Sequence, residues 1–249
     1  MATHLPETLA MPASSGMRER LIVALDVSSV SAAQELVQRI GDAAGIYKVG
    51  LQLFTAEGPG FVRDLVRSGR RVFLDLKLHD IPNTVGHAVE NAAALGVHML
   101  TVHASGGSAM LRAAVEAAKG SPLNILAVTV LTSLNDEDMD EIGVAGRVSD
   151  QALRMAALAQ TVGCQGIISS PREALLIRKS LGESFAIVTP GIRPAGAESN
   201  DQQRIATPAK AIENGASHIV LGRPITHAAD PAQAARSIIS EMEQARISR

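Results

Sequence analysis

The chain has 249 residues, of which 46% are hydrophobic and 19% are charged, and its formal net charge is −2 at pH 7. This length suits either one large α/β barrel or two smaller domains. The sequence contains four Phe, one Tyr and no Trp, and it has no long run of basic residues. Proteins that bind single-stranded nucleic acids rely on aromatic platforms and basic grooves, so this composition disfavours a nucleic-acid partner.

The sequence predicts a cytoplasmic protein without a membrane-spanning segment. Its single cysteine, Cys164, rules out an internal disulfide and is typical of a reducing compartment. No apolar run approaches the roughly 18 residues that a transmembrane helix requires. Residues 1–18 are rich in Ala, Pro, Ser and Met and lack the basic and apolar regions of a signal peptide. We expect them to form a disordered tail ahead of a folded domain at residues 19–249.

Eight apolar segments alternate with helical patterns along the rest of the chain. The predicted strands are Leu21–Val27, Gly45–Leu53, Arg71–Leu78, Val97–His103, Asn124–Leu131, Gly166–Ser169, Phe185–Thr189 and His218–Gly222. Their nearly continuous apolar character indicates burial on both faces, as in parallel sheets. Strand and helix alternating eight times favour a single-domain (β/α)8 (TIM) barrel, with a doubly wound open sheet as the weaker alternative.

Several predicted helices have recognisable ends. Ser31 and Gln34 form a possible capping box for the first helix, which Gly41 can close. The segment Ser170–Glu173 carries a cap, a proline and a glutamate in the order expected of a helix start, and Gly182 follows at the far end. Two further starts of the same kind are Thr207-Pro208 and Asp230-Pro231.

Charged residues interrupt three of the predicted strands. In the third strand, Asp75 and Lys77 share one face with Phe73, since side chains alternate between faces along a strand. Asp26 and Lys48 occupy the corresponding C-terminal parts of the first and second strands. Inward-facing residues at these ends form the floor of a barrel active site, so the four charges are expected to converge there. The alternative is a set of structural salt bridges at the mouth of the barrel.

A second group of candidate residues follows the last two strands. Thr189–Arg193 and Leu221–Thr226 each combine a glycine with an arginine at a strand end. Backbone N–H groups and guanidinium groups bind phosphate, and phosphate sites in these barrels commonly follow strands seven and eight. Ordinary turn glycines with surface arginines are the alternative. The loop Arg193–Gln203 is the expected place for a mobile lid.

The histidines do not predict a metal site. They lack a spacing that is typical of metal ligands and have no cysteine nearby. The residues considered are His79, His87, His98 and His103.

Taken together, these segments resemble the orotidine 5′-phosphate decarboxylases of the bacterial type. The resemblance is carried by Asp75–Thr84 (DLKLHDIPNT), Leu25–Val27, Tyr47–Gly50, Val130–Ser133, Pro190–Pro194 and Leu221–Thr226. The pattern Asp-x-Lys-x-x-Asp alone is shared with metal-dependent sugar-phosphate decarboxylases and aldolases on a related barrel. The continuation Ile-Pro-Asn-Thr is similar to the orotidylate enzymes.

The resemblance implies conversion of orotidine 5′-monophosphate to UMP and CO2, without a metal or an organic cofactor. It assigns Lys77 as the proton donor to C6 and places Asp75 against the substrate carboxylate. Lys48 is expected to support Asp75 and to contact the ribose, which Asp26 also contacts.

The resemblance further implies a homodimer whose active sites are shared between subunits. Asp80, Ile81 and Thr84 are expected to enter the active site of the neighbouring subunit, with Asp80 counted among the catalytic residues. The remaining substrate-binding residues are Thr132, at the end of strand five, and the phosphate-binding set Arg193, Gln202, Gly222 and Arg223. Gln203 remains the alternative to Gln202.

Two other functions compete with this interpretation. One is a metal-dependent sugar-phosphate decarboxylase or aldolase on the same scaffold. The other is a non-catalytic barrel that binds a phosphorylated metabolite.

Overall fold

The computed structural model describes residues 16–194 and 206–247. Residues 1–15 of the predicted tail lie outside these ranges. The last residues of that tail belong to a 3-10 helix, Met17–Arg20, in which Met17 is buried. Most of the predicted lid, together with Gln202 and Gln203, also lies outside the described residues.

Eight parallel strands form a closed barrel in which each strand pairs with the next and the eighth pairs with the first. They are β1 Leu21–Ala24, β2 Ile46–Gly50, β3 Arg71–Leu78, β4 Met99–His103, β5 Asn124–Val128, β6 Gly166–Ile168, β7 Ala186–Thr189 and β8 His218–Leu221. The predicted (β/α)8 barrel is therefore confirmed, and the open sheet is not the fold. The first, second and fifth strands end earlier than predicted, at Ala24, Gly50 and Val128. A helix begins at Leu51 after the second strand, and Asp26 and Thr132 lie in the segments that follow β1 and β5.

Helices follow the strands around the outside of the barrel. They are α1 Val30–Ile40, α2 Leu51–Glu57, α3 Pro59–Arg67, α4 Pro82–Ala94, α5 Gly107–Ala118, α6 Asp136–Glu141, α7 Val148–Thr161, α8 Ala174–Leu181, α9 Pro208–Glu213, α10 Arg223–Thr226 and α11 Pro231–Ile247. Within the described ranges, no helix combines the length and the apolar character needed to cross a membrane.

Two predicted helix starts were wrong. The N-cap of α1 is Ser29, whose hydroxyl accepts a hydrogen bond from the Ala32 amide at 3.3 Å, and not Ser31. The segment Ser170–Glu173 forms a turn, closed by the Glu173 amide and the Ser170 carbonyl at 3.1 Å, and α8 begins only at Ala174. At α1 two serines lie two residues apart and either can cap a helix, whereas at Ser170–Glu173 a turn and a first helical turn use the same residue types.

The other predicted helix signals are confirmed. Gly41 ends α1 and Gly182 ends α8. The Thr207 hydroxyl accepts from the Lys210 amide at 3.2 Å at the start of α9. A side-chain oxygen of Asp230 accepts from the Gln233 amide at 2.9 Å beside Pro231, where α11 begins.

The barrel interior is a separate apolar layer beneath the charged residues. It consists of Ile22, Ala24, Ile46, Phe73, Met99, Leu126, Val128, Ile168, Ala186, Val188 and Val220, all of them buried. The alternate residues of each strand point outward and pack against the helices. The strand alternation used to place Asp75 and Lys48 on the inner face is consistent with this arrangement, since Phe73 and Ile46 are interior.

Candidate active site

The four charged residues predicted to converge form one chain of ion pairs at the C-terminal end of the barrel. Lys48 Nζ lies 2.8 Å from Asp26 Oδ1 and 3.7 Å from Asp75 Oδ2. Lys77 Nζ lies 2.9 Å from each carboxylate oxygen of Asp75. Carboxylates and ammonium groups alternate along the chain, so every charge has an opposite charge as its neighbour.

Burial differs along this chain of ion pairs. The side chains of Lys48 and Asp75 are 10% and 13% exposed, whereas those of Lys77 and Asp26 are 30% and 55% exposed. Desolvated charges strongly favour ion pairing, because an unpaired buried charge costs several kcal/mol. The buried Lys48 and Asp75 therefore fix the positions of Asp26 and Lys77 through their ion pairs. Asp26 and Lys77 in turn face the space above the barrel.

The strand that carries Lys77 is irregular at this point, which strand periodicity did not predict. Leu74 pairs with Leu100 and Leu78 pairs with Val102, so three residues of β3 lie opposite a single residue of β4. Lys77 has a φ of 51°, the only positive value among the non-glycine residues that the structure describes. This left-handed conformation is unfavourable for a residue with a Cβ, so neighbouring groups must stabilise it.

Sequence reasoning missed Thr101, the residue of β4 that faces this irregularity. Its hydroxyl donates to Asp75 Oδ1 at 2.9 Å and accepts from the Lys77 amide at 2.8 Å. Thr101 shares the inner face of β4 with Met99 and His103, so a polar residue in the middle of an inward-facing row was the available signal.

A cavity of about 480 Å³ opens above the charged residues. Its floor is apolar and its remaining walls come from the ends of β5, β7 and β8. The wall residues include Val130, Leu131, Thr132, Pro190, Gly191, Arg193, Gly222 and Arg223. The structure thus brings the charged group, Thr132 and the described members of the predicted phosphate group to one cavity.

The phosphate end of the cavity combines two glycines with two arginines. Gly191 has a φ of 79°, a conformation that favours glycine, and Gly222 precedes the short helix α10. Arg193 is only 7% exposed and donates to the Ile192 carbonyl at 2.9 Å, whereas Arg223 is exposed. The cavity therefore has one buried and one exposed guanidinium group at this end.

Asp80, Ile81 and Thr84 do not line the cavity of their own chain. All three are exposed at the start of α4, and Ile81 is 66% exposed. The Asp80 carboxylate accepts from the Ile81 amide at 2.6 Å. The segment therefore presents a carboxylate, a large apolar side chain and a hydroxyl on the outer surface.

Two histidines lie beside the charged residues. The ring centroids of His79 and His103 are 5.2 Å apart. Burial lowers the pKa of His103, and the nearby His79 and Lys77 lower it further, while Asp75 has the opposite effect. Within residues 16–194 and 206–247, no three His, Cys, Asp or Glu side chains are grouped as a metal site would require.

Comparisons with known proteins identify the family. Residues 19–238 match the model of the orotidine 5′-phosphate decarboxylase / HUMPS family. The chain is 49% identical over 248 residues to the orotidine 5′-phosphate decarboxylase of Moorella thermoacetica, covering 96% of this chain and 97% of that protein. It is 53% identical over 231 residues to the enzyme of that name from a Methylobacterium species, covering 92% and 97%.

The fold comparison agrees with the sequence comparison. The crystal structure of orotidine 5′-phosphate decarboxylase from Lactobacillus acidophilus superimposes with a TM-score of 0.80 and 39% identity, covering 89% of this chain and 98% of that one. The family resemblance carried by the motifs is thereby confirmed. The chain belongs to the orotidine 5′-phosphate decarboxylase / HUMPS family.

Proposed function

We propose that this chain is an orotidine 5′-phosphate decarboxylase, which converts orotidine 5′-monophosphate to UMP and CO2. Relatives that carry this name share about half of its residues over nearly their whole length. The single observation that carries the proposal is the position of the Lys77 ammonium, which lines the cavity and lies 2.9 Å from both oxygens of Asp75.

Lys77 supplies the charge and the proton that this reaction needs. When the bond between C6 and the carboxylate carbon breaks, the electron pair remains on C6 as a poorly delocalised carbanion. An ammonium group at a fixed position stabilises that negative charge electrostatically. Lys77 then donates a proton to C6 as a general acid and regains one from solvent after the product leaves.

Asp75 acts on the substrate carboxylate and on Lys77. A carboxylate beside the carboxylate of the substrate is repulsive before reaction, and the repulsion disappears as neutral CO2 departs. The same Asp75 oxygens accept hydrogen bonds from Lys77 Nζ, which keeps the ammonium at the reacting carbon.

Lys48 and Asp26 extend the polar surface toward the sugar. Lys48 contacts both carboxylates, and the more exposed Asp26 lines the cavity, where its oxygens suit ribose hydroxyl groups. Ligand cavities of roughly 300–1,000 Å³ are usual for small molecules, and about 480 Å³ falls within that range.

The phosphate of the substrate binds at the opposite end of the cavity. Arg193 and Arg223 offer guanidinium groups, and Gly222 leaves the backbone accessible there. Gln202, or alternatively Gln203, completes this set in the proposal, and Thr132 contributes a hydroxyl from the segment that follows β5. Binding energy from the phosphate orders groups that act at C6, which is remote from it.

The proposal includes a cytoplasmic homodimer with shared active sites. Asp80, Ile81 and Thr84 are exposed and lie away from the cavity of their own chain, which suits residues that complete the site of a partner. The exposed Ile81 side chain gives such an interface an apolar contact.

A metal-dependent sugar-phosphate decarboxylase or aldolase is the nearest competing function, because the pattern Asp75-x-Lys77-x-x-Asp80 resembles one that such enzymes share. In this chain, Lys48 Nζ lies between Asp26 and Asp75, at 2.8 Å and 3.7 Å, where a cation shared by those carboxylates would lie. An ammonium in that place supports the metal-free reaction.

One spectrophotometric experiment separates these functions. We expect the wild type to remove the absorbance of orotidine 5′-monophosphate equally well with and without EDTA, and Lys77→Ala to lose turnover while still binding UMP. Lys119→Ala, which removes only an ion pair with Glu116 on the surface, is the matched control. Loss of wild-type activity with EDTA indicates the metal-dependent decarboxylase or aldolase. A wild type that binds UMP without turnover indicates a non-catalytic barrel. Turnover by Lys77→Ala contradicts the role assigned to Lys77.

A further inference from the structure

We propose that Thr101 is a positioning residue for the reaction, because its hydroxyl links the backbone of Lys77 to the carboxylate of Asp75. This inference rests on the proposed roles of those two residues. Thr101 is fully buried and does not line the cavity. It therefore acts on the substrate only through the charged residues that it contacts.

The three residues form a closed ring of hydrogen bonds. The Lys77 amide donates to Thr101 Oγ1 at 2.8 Å, and that hydroxyl donates to Asp75 Oδ1 at 2.9 Å. A hydroxyl has one proton and an ionised carboxylate can only accept, so both bonds have a defined direction. Lys77 Nζ donates to the same Asp75 oxygen at 2.9 Å and closes the ring.

The ring explains how Lys77 keeps its unusual backbone conformation. Lys77, with its φ of 51°, lies within the register shift between β3 and β4. The Thr101 side chain accepts the hydrogen bond from the Lys77 amide in place of a backbone carbonyl. An amide that is shielded from water and has no acceptor is unfavourable, and the bond from the Lys77 amide to Thr101 is partly buried. Loss of the hydroxyl therefore removes a reason for Lys77 to remain in this conformation.

Loss of the hydroxyl also releases Asp75 Oδ1 from one of its donors. The ammonium and the carboxylate at the reacting carbon would then shift together, because both are attached to the ring. A misplacement of about 1 Å in a catalytic group can reduce the rate on the order of 100-fold. Binding of the phosphate and ribose uses other residues and is expected to change little.

Thr101→Val tests the inference, because valine has nearly the same shape and lacks the hydroxyl. We expect kcat for orotidine 5′-monophosphate to fall on the order of 100-fold, while KM and the dissociation constant of UMP change less than about threefold. Thr101→Ser keeps the hydroxyl and should recover most of the lost kcat. Thr129→Val is the matched control, since Thr129 is also buried and its hydroxyl donates to the Ile168 carbonyl at 3.0 Å.

Three results would overturn the inference. They are a wild-type kcat in Thr101→Val, an equal loss in Thr101→Ser, and an equal loss in Thr129→Val. If Thr101→Val does not fold, Thr101→Ala and Thr101→Ser provide the same comparison, because they also differ by one hydroxyl. An inactive wild type would count against the proposed function, whereas an active wild type with an equally active Thr101→Val would count against this inference alone.

Discussion

Lys48 Nζ lies 2.8 Å from the position that a Cβ on Gly50 would occupy, and Asp26 Oδ1 lies 3.3 Å from it. Lys48 and Gly50 are both on the inner face of β2, and Gly50 is the last residue of that strand. The absence of a side chain at Gly50 therefore provides the space through which the Lys48 ammonium reaches Asp26. The glycine is required for this close approach and not for its backbone conformation, which has a φ of −99°.

Gly50→Ala is expected to reduce activity without preventing folding. The added methyl group meets the flexible end of Lys48, so the ammonium moves away from Asp26 while the backbone stays in place. We expect kcat/KM for orotidine 5′-monophosphate to fall on the order of 10- to 100-fold. Steady-state kinetics and thermal unfolding measure the two effects separately.

Gly60→Ala is the matched control for that substitution. Gly60 lies in α3 with no atom near its hypothetical Cβ, so alanine there should leave activity unchanged and stabilise the helix by about 0.5–1 kcal/mol. Equal activity of Gly50→Ala and the wild type would show that Lys48 does not depend on this space.

Protonation of His218 is expected to destabilise the fold at acidic pH. His218 is fully buried at the start of β8, and its two ring nitrogens have no hydrogen-bond partner among the described residues. Burial lowers its pKa from 6.5 to about 3, and the charges of Arg20 and Arg71 add to the effect. The native state therefore binds fewer protons than the unfolded state between these values, so the stabilisation is complete above pH 6.5 and is lost as the pH falls.

Urea unfolding at pH 7, 6 and 5, at constant protein concentration, measures this effect. Below pH 6.5 the contribution of His218 to the free energy of unfolding should decrease by about 1.4 kcal/mol for each unit by which the pH falls. His218→Leu removes the titrating group and should reduce the pH dependence by that amount. His87→Gln replaces an exposed histidine and is the control for loss of a histidine as such. Parallel pH profiles for the wild type and His218→Leu would contradict the prediction.

A mixing experiment tests whether Asp80 serves the active site of a partner. Lys77→Ala and Asp80→Ala are each expected to be inactive as homodimers. In a mixed dimer, one site combines an intact Lys77 with the partner's intact Asp80, and the other site lacks both. Random mixing should therefore restore about a quarter of the wild-type activity, because half of the dimers are mixed and each has one complete site.

Unfolding and refolding the two variants together, followed by size-exclusion chromatography and an activity assay, makes this measurement. Each variant refolded alone is the control. If the mixture stays as inactive as its components although mixed dimers have formed, Asp80 acts in its own chain.

Much of the active-site location could be predicted from sequence because it depends on local periodicity. Alternation along β2 and β3 placed Lys48 and Asp75 on an inner face, and parallel strands bring such residues to one end of a barrel. The glycine and arginine signals after β7 and β8 pointed to the wall of the same cavity. The roles of Asp80, Ile81 and Thr84 came from the family resemblance and have no comparable local signal.

What the sequence by itself determined was the alternation of strands and helices and the set of charges at one end of the barrel. Only the tertiary structure decided that β3 carries extra residues opposite Thr101, that Lys77 has a positive φ, and that Gly50 makes room for Lys48. Alternation along a strand is a property of neighbouring residues in the chain, whereas register between strands depends on closure of the whole barrel. The partners of each charge are therefore set by contacts between residues that are distant in sequence.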